Sequence, residues 1–145
     1  AFESIKAQAH LVYVGSGVLE TQLKERFDAH PNIHFVGFQN QSKMPIWYRV
    51  ADVFCLPSRG PGETWGLAVN EALACGCRVL VSNRVGCAED LVTDKTLGAV
   101  LVWDDCRSWP SVLTMLEGVR ASRSHSREFI QPWNLDAFKN SIAAQ

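Results

Sequence analysis

The stretch that decides the fold runs from Asp52 to Ser82. It opens with Asp52-Val53-Phe54-Cys55-Leu56, passes through Pro57-Ser58-Arg59-Gly60-Pro61-Gly62-Glu63-Thr64, continues as Trp65-Gly66-Leu67-Ala68-Val69-Asn70-Glu71-Ala72-Leu73-Ala74-Cys75, and after Gly76-Cys77 closes with Arg78-Val79-Leu80-Val81-Ser82. The first run is too apolar to leave one face in water, which predicts a strand covered on both sides and closed by Pro57-Ser58. Gly60, Pro61 and Gly62 make the next segment a loop suited to a binding rim. A helix is predicted from about Trp65 to Cys75, ended by Gly76 as its C-cap. Arg78 to Ser82 then reads as the next strand. Strand, helix and strand in that order form a parallel βα unit.

The same alternation extends outward. Upstream, His10 to Val14 reads as a strand ended by Gly15-Ser16-Gly17, and Val18 to His30 as a helix with Leu19, Leu23 and Phe27 at i, i+4 and i+8, stopped by Pro31-Asn32. Ile33 to Phe38 is a second short strand. Ser42 to Ala51 is a helix begun by a capping hydroxyl, with Pro45 in its first turn and Ile46, Trp47 and Val50 at helical spacing. A short helical stretch is predicted around Phe2 to Ala9. Downstream come a short helix at Ala88 to Val92, a strand at Ala99 to Val102, and helical patterns near Val112 to Arg123 and Leu135 to Ile142, divided by Pro132-Trp133. Ser122 to Arg127 reads as a helix-exit surface, and Trp103-Asp104-Asp105 as a strand-end turn. The pattern predicts an α/β fold, Rossmann-like and three-layered (α/β/α), with a mostly parallel sheet and helices on both faces.

At 145 residues the chain has room for about one domain. With 47% hydrophobic and 20% charged residues it carries an ordinary core, and a net charge of -1 offers no general attraction for nucleic acid. Apolar runs such as Leu97 to Trp103 are far shorter than the roughly 20 residues of a membrane span. The opening Ala-Phe-Glu-Ser-Ile-Lys lacks the blocks of a secretory signal and reads as an interior cut. Cysteines 55, 75, 77, 87 and 106 are odd in number and sit partly in apolar runs, the pattern of free thiols in a reducing, cytoplasmic setting. Cys75-Gly76-Cys77 has no second pair at finger spacing, so no metal is predicted.

The chemistry concentrates around Glu63 and Glu71. Glu63 follows the carboxyl end of a strand, where open α/β sheets bind ligands. Glu71 lies about two helical turns later, roughly 12 Å along the axis at 1.5 Å per residue. Carboxylates so separated cannot share a proton. Between them lie the N–H groups of Trp65, Gly66 and Leu67 at a helix start, whose orphaned donors and dipole favour a phosphate. Carboxylate, anion cradle and carboxylate together suit a nucleotide diphosphate sugar. A solvated loop carboxylate at Glu63 and a solvated helix carboxylate at Glu71 are the plain alternatives.

The seven residues between the two glutamates, together with Pro57-Ser58, Gly66-Leu67, Glu71-Ala72, Gly76 and Val79-Leu80-Val81-Ser82, resemble the donor-binding, C-terminal half of retaining GT-B glycosyltransferases of family 4 (glycosyl transferases group 1). The likeness covers His10 to Val92. It implies that Glu63 is the catalytic-site carboxylate contacting donor-sugar hydroxyls, that Glu71 binds the ribose hydroxyls, and that the Trp65, Gly66 and Leu67 amides hold the diphosphate. It further implies that Gly15 and Gly17 border the nucleotide, that Gly37 and Phe38 meet its base, and that Arg59 approaches phosphate or sugar. A tight turn, core packing and a solvated rim arginine are the respective alternatives. Ser82 and Gly86 resemble edge positions of the same cleft, whereas Glu89 caps a helix or faces water. The implied donor is a UDP- or GDP-sugar with no other cofactor, and the acceptor is a glycan or a lipid-linked acceptor.

Two departures stand out. Trp65 occupies a place where many relatives have a smaller aromatic ring, and Arg84-Val85-Gly86 is less glycine-rich than usual. The family's first strand, with its arginine and nearby lysine, finds no counterpart among residues 1–9, and Lys6 is not that lysine. The reading is therefore a single, incomplete donor-binding domain over residues 1–145, without the acceptor domain and inactive alone. The full-length protein is expected in the cytoplasm or peripheral to the membrane. Upstream residues, a second copy or a partner chain would complete the sheet. The second reading is a noncatalytic nucleotide-sugar binding or interaction module. A dinucleotide fingerprint lacks its third glycine, and no Gly-x-Ser-x-Gly elbow is present.

Overall fold

The computed structural model describes residues 9–60, 62, 64–105, 107–116 and 123–133. The helix expected around residues 2–9 falls almost wholly outside them, and the one over 135–142 wholly so. The chain divides into two compact units, residues 1–44 and 45–145.

In the first unit, strand β1 (Leu11–Val14), helix α1 (Glu20–Phe27) and strand β2 (Ile33–Gly37) follow in order. The strands pair in parallel, Leu11 opposite Ile33 and Tyr13 opposite Phe35, with α1 as the crossover that parallel pairing requires. The Tyr13 and Phe35 rings stack with centroids 5.0 Å apart. Register slips after Tyr13, so Val14 faces Gly37. Helix α1 begins two residues later than its hydrophobic pattern suggests, because the glycine turn uses more chain: the Gly17 carbonyl accepts the Glu20 N–H, and Val18 is fully exposed.

The second unit holds nearly all of α2 (Met44–Val50), then β3 (Val53–Leu56), α3 (Leu67–Ala74), β4 (Arg78–Ser82), α4 (Ala88–Leu91), β5 (Gly98–Leu101), α5 (Trp109–Leu116), α6 (Arg123–Ile130) and a 3-10 turn at Gln131–Trp133. Its strands form a parallel sheet in the order β3-β4-β5. Strand β4 is buried along its whole length, as expected of a central parallel strand that reads Arg-Val-Leu-Val-Ser. Leu80 packs with Leu101 and Trp109, and Val53, Cys55, Ala99 and Val112 close around them. By strand alternation Val79 and Val81 face the other side, shared with Leu56. Helix α3 buries Val69, Ala72 and Leu73 and packs against β3, β4 and α6. Each buried Val or Leu contributes about 1.5–3 kcal/mol of transfer free energy.

The fold is thus α/β and Rossmann-like with parallel strands, as the sequence predicts. The strands form two sheets: among the described residues β1 pairs with β2 alone, and β3 with β4 alone. The tail differs from its sequence pattern. Helix α5 starts at Trp109, because that indole belongs to the core, and Pro110 fits its first turn. Arg123–Ile130 is itself a helix, since Ser126 and Ile130, one turn apart, are both buried. The pattern in α2 is inverted as well: Ile46 and Val50 are exposed, and Tyr48 is the buried residue, at 3% exposure.

Candidate functional site

The mouth of helix α3 is built by a glycine and two buttresses. Gly66 adopts φ 96° and ψ 53°, a left-handed conformation that cannot continue a helix, so α3 starts at Leu67 and not at Trp65. Glu71 is consequently about 6 Å along the axis from Leu67, one turn in. Half of the spacing between Glu63 and Glu71 is loop, which replaces the 12 Å expectation. Glu63 itself, like Pro61, lies outside the described residues.

A Cβ on Gly66 would lie 2.7 Å from Val85 Cγ1 and 3.4 Å from both Cys87 Sγ and Leu56 Cδ2. Those three side chains therefore set how deep the mouth sits. On Gly86, a Cβ would fall 1.9 Å from the Thr64 carbonyl oxygen. The Cys87 N–H donates to the Trp65 carbonyl at 2.8 Å. At the other end of the loop, the buried Ser82 hydroxyl donates to the Ser58 carbonyl at 2.6 Å. The segment carrying the expected sugar-binding residues is thus pinned at both ends, at Ser58 by Ser82, the last residue of β4, and at Thr64 by Gly86 beyond it.

Gly66, the N-cap residue, has no side chain to cap α3, and no side-chain cap is made among the described residues. Among the described residues the Trp65, Gly66 and Leu67 N–H groups enter no backbone bond beyond the helix ladder, which itself leaves first-turn donors unused. Donors so oriented suit an anion. Leu67 is largely exposed at this mouth. Trp65 is held sideways: its indole N–H donates to Asn70 Oδ1 at 2.9 Å and its ring lies 5.5 Å from that of Trp133. The Arg59 guanidinium stands 5.7 Å from the centre of the Trp103 ring. Glu71 Oε2 accepts a 3.0 Å hydrogen bond from the Tyr48 hydroxyl. Burial, then that hydrogen bond and the carboxylate's charge, raise the phenol's pKa well above its ordinary value, so Tyr48 stays a donor. Sequence reasoning missed Tyr48; the available signal was a tyrosine in a helix that must pack on a sheet, since a buried phenol needs a partner.

The first unit brings together the other predicted residues. The Gly15 N–H donates to the Gly37 carbonyl at 2.8 Å, which places Gly15, Gly17, Gly37 and Phe38 at the carboxyl ends of β1 and β2. Phe38 is 76% exposed, so it serves no core. A surface depression of about 260 Å3, lined by Arg26, Phe27, Ala29 and His30, contains none of the predicted residues. Among the described residues no group of three or more His, Cys, Asp or Glu could hold a metal, and no helix is long and apolar enough to cross a membrane. Cys55, Cys75, Cys77 and Cys87 are free thiols. Glu89 is exposed, as are Asp104 and Asp105.

Comparison with known proteins gives three kinds of likeness. The sequence model described as glycosyl transferases group 1 matches residues 1–116. The D-inositol 3-phosphate glycosyltransferase of Xylanimonas cellulosilytica is 33% identical over 115 residues, covering 74% of this chain and 25% of that protein. The GDP-mannose-dependent alpha-(1-6)-phosphatidylinositol dimannoside mannosyltransferase of Mycobacterium tuberculosis is 37% identical over 87 residues, 59% of this chain and 22% of that protein. In structure, HepE of Anabaena, solved with UDP and glucose, superposes with a TM-score of 0.76 at 18% identity over 99% of this chain and 42% of that one. Sucrose-phosphate synthase from Thermosynechococcus elongatus gives 0.75 at 21% identity, over 99% of this chain and 41% of that one. The chain spans about a quarter of the length of the curated relatives it matches.

Proposed function

The chain belongs to the glycosyl transferases group 1 family, and from that premise we propose that it is the donor-binding part of a retaining glycosyltransferase that uses a UDP- or GDP-sugar. The observation that carries this reading is the α3 mouth, where a left-handed glycine held between Val85, Cys87 and Leu56 opens a helix with uncapped donors and a carboxylate one turn below. The diphosphate sits on the Trp65, Gly66 and Leu67 amides, and Glu71 accepts the ribose hydroxyls. Glu63 contacts the hydroxyls of the donor sugar. In the first unit, Gly15 and Gly17 border the nucleotide, and the backbone of Gly37 and Phe38 meets the base.

The amides stabilise negative charge that grows on the diphosphate as the sugar departs, a contribution of several kcal/mol in sites of this kind, about 3 per well-placed donor. Arg59 reaches phosphate or sugar only by leaving the Trp103 ring. The acceptor is a glycan or a lipid-linked acceptor bound by another part of the protein, which acts in the cytoplasm or at the membrane surface. Calorimetric titration with UDP, GDP, glucose and mannose tests the reading. One nucleoside diphosphate binds and free sugars do not, and Glu71→Gln weakens that binding; a folded chain that ignores both diphosphates sinks it.

A further inference from the structure

We infer that Tyr48 is a positioning residue: its hydroxyl fixes the Glu71 carboxylate so that the site prefers a ribonucleoside diphosphate to its deoxy counterpart. The inference rests on Glu71 being the ribose contact. Three observations lead to it. Helix α2 turns its aliphatic residues Ile46 and Val50 outward and buries Tyr48, the reverse of what hydropathy alone selects. The ring is locked edge-on against Phe54 of β3, with centroids 5.3 Å apart and planes at 88°, so the hydroxyl has little freedom. That hydroxyl ends 3.0 Å from Glu71 Oε2.

A glutamate side chain has three rotatable bonds, and immobilising it on binding weakens the ligand. A carboxylate already held by a rigid donor has lost that freedom beforehand. A carboxylate offers about four acceptor positions, so taking the phenol is compatible with taking ribose hydroxyls. A phenylalanine would fill the same core space, and what the tyrosine adds is a hydroxyl on this carboxylate. The consequence is selective: holding Glu71 matters only to a ligand that has hydroxyls to offer it.

The test is a calorimetric comparison of the full chain, Tyr48→Phe and Glu71→Gln, each titrated with UDP, 2′,3′-dideoxy-UDP, GDP and 2′,3′-dideoxy-GDP. The unaltered chain should favour the ribose form of its preferred base by about tenfold or more, the worth of a hydrogen bond to a charged group. Glu71→Gln should flatten that ratio. Tyr48→Phe, which keeps the ring and its contact with Phe54, should lower the ratio about three- to tenfold and leave dideoxy affinity unchanged. If Tyr48→Phe keeps the full ratio while Glu71→Gln flattens it, the positioning role is overturned and the ribose contact stands. Equal weakening of both ligand forms by Tyr48→Phe marks a packing role and also overturns it. If the unaltered chain shows no ribose preference, or Glu71→Gln retains it, the ribose reading fails and the role of Tyr48 falls with it.

Discussion

Replacing Gly66 with alanine should cost stability in two separable parts. An L-residue at φ 96° bears a left-handed penalty of about 1–2 kcal/mol. The new Cβ also lands 2.7 Å from Val85 Cγ1, closer than atoms of a packed core tolerate, and overpacking of this size adds about 1–3 kcal/mol. The expected total is about 2–5 kcal/mol. Val85 is 3% exposed, so Val85→Ala alone should cost about 2 kcal/mol through lost burial and a small cavity. In the double variant the cavity receives the added methyl, and the pair should be more stable than the sum of the singles by about 1–3 kcal/mol, the overpacking part alone. Gly62→Ala is the control, because its Cβ meets nothing within 4 Å and its backbone is not left-handed; it should stay within about 0.5 kcal/mol. Urea titrations followed by tryptophan fluorescence, extrapolated to water, give the four values. The account of the α3 mouth is refuted if Gly66→Ala behaves like Gly62→Ala, or if Val85→Ala in the Gly66→Ala background costs its full amount again.

Gly86→Ala should be harsher, about 3 kcal/mol or more, because the opposing atom is a backbone oxygen that cannot rotate away; nucleoside diphosphate binding retained at native affinity in that variant would contradict the buttress. Hydrogen bonds from the Thr96 hydroxyl, His125 and the Thr96 N–H lower the Asp94 pKa from 3.8 to about 2. A depressed carboxylate stabilises the fold above its unfolded pKa, so this contribution is complete above about pH 4 and disappears as pH falls through 2. Given partial exposure, Asp94→Asn should cost only about 1 kcal/mol at pH 7 and flatten the acid limb of a stability profile; an unchanged limb argues against the pairing. Burial pushes the thiols of Cys55 and Cys77 up to about 11 and about 12. Cys77, at 1% exposure, should not react with a disulfide reagent at pH 8 until urea unfolds the chain, and peptide mapping that finds it labelled in native protein excludes the buried placement.

The strands and their parallel pairing were legible because strand β4 and its neighbours carry uninterrupted apolar runs that nothing but a doubly covered sheet accommodates. The start of α3 was not, since the pattern around Trp65 is helical in composition and the left-handed turn at Gly66 depends on Val85 and Cys87, twenty residues away. Tyr48 escaped for a related reason: hydropathy marks Ile46 and Val50 as the inner face of α2, whereas tertiary packing selected the residue whose hydroxyl had a carboxylate to meet. At the candidate site, residue type and spacing singled out Glu71 and the start of α3, and the family resemblance supplied the roles proposed for them. The pins at Ser58 and Thr64 come from the end of β4 and the chain just beyond it, and no local pattern announces them.

The contact between Gly86 and Thr64 is made by main-chain atoms alone, which bears on how this protein can diversify. The residues at positions 59, 62 and 64 can change without altering the anchor, so a randomised library at those positions, with 66 and 86 kept as glycine, should explore new ligand preferences while most members still fold.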